Sequence, residues 1–417
     1  MFEKVDIHSL NFNPFDKIGK NWLLISATKS GKTNTMTASW GTLGHLWNKD
    51  VAIIFIRPQR YTKEFVDESE TFTLSFFDDK HKELSYLGTK SGKDEDKISK
   101  VNFHIEMVDG NPTFEEAKEV FICKKLYVGK LEKEHFLLPK IYEKNYPLDD
   151  LHYVYIGEIT DVYSKNIIIH INNEHIFGAT TLKNIALPEK NNTALHVCID
   201  PEAVIINRKR LAEELNMPLD NWALPWQKHT NNMAHVTSSD KGKGAYDKNT
   251  SIMNVDAVYT TEPNILIGVF TADCLGILVI DETTPCICAI HSGWKGTTLE
   301  ITKKCLSELI EKDLIHPKSC HVYFSPSIQF DSLEVGMEVV EQMKQISIDT
   351  TPFIRYMPNE KAYIDNQGIN IEMCKELGVP AQNIHPSVYD TKKELNTCFS
   401  YRNDKQTGEH FTFGYIK

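Results

Sequence analysis

From the N-terminus to about position 165, short runs rich in β-branched and aromatic side chains recur between Gly, Asn, Asp or charged positions: NWLLISA, VAIIFIRP, TFTLSFF, EVFICKKLYVGKL and YVYIGEITDVY. Short runs bounded by turn residues predict strands. Only RYTKEFVDES and the stretch Lys80–Leu87 predict helices, so a closed or half-closed barrel fits better than a doubly wound sheet. The next segment, SKNIIIHINNEHIFGATT, reads as strand, turn and strand and carries no Pro/Gly/Ser-rich linker. The pattern changes there, which sets a boundary near residue 165 and adjoining domains 1–165 and 166–417.

In the second half helices and strands mix. Asp200 before Pro201 is an N-cap and first-turn pair, and Val204, Ile205, Leu211 and Leu215 share a face, predicting a helix to about Asn216. Thr297 with Glu300 has the spacing of a capping box, with Leu299, Leu306, Leu309 and Ile310 as the stripe behind it. A third helix is expected to end at Gly378, before Pro380. Strands include NILIGVF and GILVI.

The composition narrows the function. The 417 residues carry a formal net charge of -11 with 41% hydrophobic and 25% charged positions, ordinary for a folded protein. No block of Lys/Arg is present to grip a nucleic-acid backbone. The N-terminus has no apolar run of the signal-peptide kind, and no apolar stretch is long enough to span a membrane. A cytoplasmic protein is expected. Nine cysteines, an odd number with eight of them after position 190, point to reduced thiols. Cys286 and Cys288, in CICAI, read as buried strand residues.

Two sets of segments carry chemistry. SATKSGKT (Ser26–Thr33) ends like a P-loop, but Ser26 stands where the first glycine is required and a strand follows in place of a helix, so a Gly-containing turn explains it. NTMTASWGTLG (Asn34–Gly44), RPQRYT (Arg57–Thr62) and LGTKSGKDEDK (Leu87–Lys97) each place hydroxyls and backbone donors beside a cation, the groups that hold a phosphate on a flat aromatic cofactor. Singly, each also reads as a solvated turn. In this order the three segments resemble the flavoredoxin branch of the flavin-reductase-like family, from about Asn13 to Tyr163. The resemblance implies an FMN-binding split β-barrel, usually dimeric, with flavin contacts at Met36, Thr37, Ala38, Ser39 and Trp40, at Arg57, Arg60, Tyr61 and Thr62, and at Lys90, Ser91 and Gly92. The flavin would carry the redox chemistry. No G-x-G-x-x-G opens a helix after a strand, so an NAD(P)H donor or a redox protein would engage the flavin transiently.

In the second half WQKH (Trp226–His229), TADC (Thr271–Cys274) and HSGWKG (His291–Gly296) bring two imidazoles and a thiol into play. Two His and one Cys suit zinc, and three protein ligands with one open position is the catalytic arrangement. Zinc lowers the pKa of a bound water to around 7. The intervals from His229 to Cys274 and from Cys274 to His291 match no compact zinc-finger signature, and each residue alone reads equally as a core or surface side chain. Lys295 stands where the chain enters a helix, a place that attracts anions such as phosphate.

With FSYR at Phe399–Arg402 and the Thr407–Gly408 pair, these motifs resemble the YfiH-like family of polyphenol oxidase or laccase-domain proteins, also described as purine nucleoside phosphorylase and adenosine deaminase enzymes, over about Ile176–Ile416. The resemblance implies a C-terminal α+β domain, a mixed α/β sandwich, with zinc on His229, Cys274 and His291. It also implies phosphorolysis of purine nucleosides, with adenosine deamination as a second activity. Asn207 and Arg208 match an Asn-Arg pair on the early helix. Asp273 is a candidate proton acceptor, or only an orienting group, and Lys295 a candidate phosphate ligand. The chain departs from the family pattern at Lys295 (usually Arg), Ser325-Pro326 (usually Gly-Pro) and Asp390-Thr391 (usually Cys-Thr). Lys keeps the charge but not the two-pronged grip. Two other readings use the same half: a copper polyphenol oxidase, disfavoured because none of the 16 histidines lies two positions from another; and a metal-free hydrolase with Cys274 as nucleophile and His229 or His291 as base. In a third, non-enzymatic reading the flavin module is an electron-transfer adaptor docked to a degenerate partner.

Overall fold

A computed structural model describes the chain except residues 1, 11–12, 78–79 and 186. It divides into two compact units, Phe2–Lys165 and Asn166–Lys417. Each unit has its own buried cores.

The first unit is built on strands β1 (Phe2–Val5), β2 (Leu23–Lys29), β3 (Lys32–Ala38), β4 (Gly41–Leu46), β5 (Lys49–Ile56) and β6 (Thr71–Phe76), a small hairpin β7 (Ile105–Val108) and β8 (Asn111–Phe114), and the long β9 (Glu119–Lys130) and β10 (Tyr153–Lys165). Eight of these form one antiparallel sheet in the order β3-β2-β6-β9-β10-β5-β4, with β1 on β10. Strand β10 forks the sheet: Tyr153–Glu158 pair with β5, and Val162–Lys165 pair with β1. The P-loop-like segment is the β2–β3 hairpin, turned at Gly31 with φ 74°. Helices α1 (Pro14–Gly19), α2 (Tyr61–Glu68), α3 (His81–Thr89), α4 (Lys97–Lys100) and α5 (Pro139–Asn145) complete the unit. The sequence pattern gives α2 and α3. The other three are single turns or little more, started by Asn13-Pro14, Asp96 or Pro139, and are too short to show a helical period.

In the second unit β11 (Ile167–Asn172) and β12 (Ile176–Thr181) form a hairpin and α6 (Pro201–Glu214) follows its Asp200 cap. Short strands β13 (Trp222–Ala223), β14 (Pro225–Trp226), β15 (Met233–His235) and β16 (Ile252–Met253) precede the central β17 (Ala257–Thr260), β18 (Leu266–Thr271), β19 (Leu275–Asp281) and β20 (Cys286–Ser292). Then come α7 (Trp294–Thr298), α8 (Ile301–Glu311), β21 (His321–Phe324), β22 (Glu334–Gly336), α9 (Met337–Met343), β23 (Ile354–Tyr356), β24 (Lys361–Ile364), α10 (Asn366–Glu376), β25 (Ile384–His385) and β26 (His410–Ile416). Two sheets, β11-β12-β26-β18-β13 and β15-β17-β20-β19-β21-β25, share a core of Ile267, Val269, Leu278, Ile280, Ile287 and Ile416. Residues of α6 pack on the far face of the first sheet and those of α8 and α10 on the far face of the second. This is an α+β sandwich. No helix among the described residues is long and apolar enough to cross a membrane.

The expected capping box at Thr297 does not form. The chain enters α7 at Gly293 and breaks at Glu300, whose φ of 51° and ψ of 39° are left-handed, before α8. The Thr297 hydroxyl instead meets Ser292 at 3.0 Å and accepts from Asn370 at 2.9 Å, a buried polar network that outweighs the local cap. Leu299 is left 47% exposed, and Ile301, Cys305, Leu306 and Leu309 make the buried stripe.

Candidate metal centre and flavin cavity

Antiparallel pairing of β17, β20 and β19 brings the starts of β17 and β19 to the end of β20, with Ala257 opposite Ile290 and Leu275 opposite Ser292. Asp256, Cys274 and His291 therefore meet at one end of these central strands. His229 joins them from the turn between β14 and β15, in a left-handed conformation with φ 58°. One ligand atom each of His229, Cys274 and His291 lies within 4.8 Å of the others, the one group of three or more such side chains among the described residues. Burial grades from exposed His229 through half-buried Cys274 to buried His291, so the open side of the trio faces solvent at His229.

Asp256, fully buried, fixes both histidines and was not marked by any sequence motif. Its Oδ1 meets His291 Nδ1 at 2.8 Å, leaving Nε2 to face the thiol, and accepts the His229 N–H at 3.0 Å. Its Oδ2 accepts the N–H groups of Lys228 and Thr230 and the Thr230 hydroxyl. A carboxylate that sets tautomer and ring orientation is the usual support of a metal-binding imidazole. Burial by itself would raise the Asp256 carboxyl, but the His291 hydrogen bond and charge hold it well below the usual range. Burial would likewise raise the Cys274 thiol, yet hydrogen bonds from His229 and His291 bring it down to about 7. Against burial, Asp256 and Cys274 raise His291 to about 10. Two imidazoles and a thiol with ligand atoms within 4.8 Å of one another are a donor set suited to a borderline-soft cation. Gly293 leaves the room: a Cβ there would stand 2.7 Å from Cys274 Sγ and 3.4 Å from His229 Cδ2. The residues fit a resident metal ion.

The other candidates lie around this centre in different ways. Asp273, beside Cys274 and left-handed at φ 82°, accepts from Thr391, Ser400 and the Arg402 N–H. Lys295 is exposed within α7, its Nζ 5.6 Å from the Trp294 ring centroid. Arg208 is buried and donates to the carbonyls of Thr193, Gly244 and Ala245, while Asn207 donates to those of Pro188 and Asn192. That pair braces loops and is not brought to the trio. The family departures are accommodated: Ser325 Oγ accepts the Gly276 N–H at 2.8 Å, and Asp390 accepts the Ser332 hydroxyl at 2.6 Å.

In the first unit the three sequence segments converge on a cavity of about 390 Å³ and a neighbouring one of about 160 Å³, which share Met36, Arg57 and Arg60. Met36, Thr37, Ala38, Ser39, Trp40, Arg57, Arg60, Tyr61, Thr62, Lys90, Ser91 and Gly92 all line one or both. The larger falls within the roughly 300–1,000 Å³ of small-molecule sites. Four cationic residues line the larger one: Arg57, Arg60, Lys90 and Lys97. Arg57 is paired with Asp150, Arg60 donates to the Gly88 carbonyl at 2.6 Å, and Lys97 donates to the carbonyls of Leu87 and Lys90. Burial, and then Arg60, push Lys97 down to about 8. A cavity lined, among the described residues, by four cationic residues and no carboxylate, and rimmed by hydroxyls, fits a phosphate-bearing cofactor. Asn34, Gln59 and Lys97 line it too, and Phe55 and His152 the smaller one. Lys97 closes the third segment, where its charged run reads as solvated.

A family model described as multi-copper polyphenol oxidoreductase laccase matches residues 184–417. The chain belongs to that family. A model of the flavin reductase like domain matches residues 15–173, and the first unit is a flavin-reductase-like β domain. Among curated relatives of the laccase-family unit, purine nucleoside phosphorylase YlmD of Bacillus subtilis (strain 168) is 27% identical over 247 residues, covering 58% of this chain and 89% of that protein. Purine nucleoside phosphorylase YlmD of Staphylococcus aureus is 30% identical over 223 residues, 53% of this chain and 83% of that one. The crystal structure of YlmD from Geobacillus stearothermophilus aligns at a TM-score of 0.55 with 28% identity, covering 58% of this chain and 92% of its own. That of the YfiH protein from Bacillus licheniformis aligns at 0.56 with 25% identity, covering 58% and 93%.

Proposed function

We propose that the laccase-family unit is a zinc-dependent purine nucleoside phosphorylase with adenosine deaminase activity, and that the first unit is an FMN-binding reductase or electron-transfer module. The observation that carries the first half is the His229, Cys274 and His291 trio, its ligand atoms within 4.8 Å, with the His291 ring and the His229 backbone both held by buried Asp256. The relatives named purine nucleoside phosphorylase supply the substrate class. Bound zinc would supply Lewis acidity at the open, His229 side of the trio. The chain's part is to hold three ligands rigid, to keep Cys274 available as a thiolate, and to shape the wall of the site through Asp273 and the Phe399–Arg402 segment. In phosphorolysis the N-glycosidic bond breaks and phosphate takes the ribose carbon, releasing the free base. Lys295 is the proposed anion-attracting group.

In the first unit, Arg57, Arg60 and Lys97 would hold the FMN phosphate, and the smaller cavity, walled in part by Trp40, leaves room for a donor such as NAD(P)H or a redox protein. Exposed Leu126, Tyr127 and Val128 on β9 support a homodimer through this unit. A cytoplasmic location agrees with nine free cysteines.

The test is incubation of the purified protein with adenosine and a panel of purine nucleosides, with and without phosphate, before and after chelation. Ribose 1-phosphate that requires both phosphate and zinc supports the reading. Oxidation of phenols that requires copper would replace it with the oxidase, and nucleoside cleavage untouched by chelation would favour Cys274 as a nucleophile.

A further inference from the structure

We infer that Asp273 is a positioning residue: its carboxylate clamps Thr391, Ser400 and Arg402 against the turn that presents Cys274, and it is not the proton acceptor of the reaction. For its catalytic consequence this rests on the proposed phosphorylase reading. Oδ1 accepts the Thr391 hydroxyl at 2.6 Å and the Ser400 hydroxyl at 2.8 Å, and Oδ2 accepts the Arg402 N–H at 2.6 Å. The Asp273 carbonyl also accepts the Ile328 N–H at 3.0 Å. One residue thus ties two separate connections, the β21–β22 segment at Ile328 and the β25–β26 segment at Thr391, Ser400 and Arg402, to the neighbour of a metal-ligand candidate. A carboxylate offers about four acceptor positions, and most of those on Asp273 are taken by donors that hold loops in place. The price of the arrangement is a φ of 82°, tolerated by Asp and Asn and strained for Ala.

The clamp and the base make opposite predictions for the amide. In Asp273→Asn the amide oxygen can accept the Arg402 N–H, while its NH₂ donates to the two hydroxyls, which rotate to accept. A base would be lost altogether. Gly removes the clamp and relieves the backbone; Ala removes the clamp and adds strain.

The experiment compares Asp273→Asn, Asp273→Ala and Asp273→Gly in the full-length, metal-loaded protein. It reads kcat/KM for phosphorolysis and for adenosine deamination across pH, metal content, and hydrogen exchange of the Phe399–Asn403 amides. The clamp predicts that Ala and Gly lose about 10- to 100-fold in kcat/KM with metal retained and faster exchange at Arg402. Asn should recover most of both, with the wild-type pH profile. Asn as inactive as Ala, with one limb of the pH profile gone, would overturn it in favour of the base. Wild-type activity and exchange in all three would overturn it as well. If the wild type cleaves no purine nucleoside, the function reading fails and exchange decides alone: an Arg402 amide equally protected in wild type and Ala sinks the clamp.

Discussion

At the scale of single residues, the two that organise the metal centre most are a carboxylate and a glycine. Asp256 receives four donors from the His229 segment and the ring of His291. Asp256→Ala should therefore weaken zinc binding by about 10- to 100-fold, measured by competition with a chromogenic chelator; unchanged affinity would mean the trio orients itself. The sequence hid Asp256 because an Asp before the apolar run AVYT looks like any strand-start turn residue, whereas His229, Cys274 and His291 sit in motifs of mixed chemistry. His410 is one source of a pH response, beside His152 and His170, which burial depresses in the same direction. Its Nε2 accepts the Phe399 N–H at 3.0 Å and its Nδ1 faces the Thr181 carbonyl at 2.8 Å, an arrangement open only to the neutral ring. Burial depresses it to about 4. The unfolded chain binds a proton below about 6.5 and the folded one does not until about 4, so stability must fall as pH drops through that window. The slope for this one group is up to about 1.4 kcal/mol per pH unit. Denaturant midpoints between pH 7 and 4 check it, and His410→Gln should lessen the slope.

Among the elements, strands were legible and joints were not. Runs such as NWLLISA and GILVI become β2 and β19, being short, bounded by turn residues and buried along most of their length. The Asp200-Pro201 start of α6 was equally plain, since its cap is local: Asp200 accepts the N–H groups of Glu202 and Ala203. The Thr297 capping box failed because Asn370, far along the chain on α10, competes for the same hydroxyl. Tertiary partners of that kind leave no mark at short spacing. The joint between β20 and α7 is where a small change should matter most. Gly293→Ala would push a methyl into Cys274 Sγ; the expected result is loss of bound metal with little change in the far-ultraviolet circular dichroism. Metal retained in full would show that the thiol can retreat.

For the molecule as a whole, two units with separate cores were readable from the change of pattern near residue 165 and from two sets of motifs, each specific only in combination. The flavin segments at Asn34–Gly44, Arg57–Thr62 and Leu87–Lys97 converge on one pair of cavities, and His229, Cys274 and His291, each from a different motif, converge at one end of the central strands. Spacing could not show that convergence, because it depends on the order β17-β20-β19 in the sheet and not on distance along the chain. The central claim is that this one chain carries a flavin in its first unit and zinc on His229, Cys274 and His291 in its second. Elemental analysis and visible absorbance of the purified protein beside its His229→Ala variant test it directly. Near-stoichiometric zinc that is lost in the variant, with the flavin spectrum retained in both, is the predicted result; copper in place of zinc, or zinc undiminished in the variant, would contradict it.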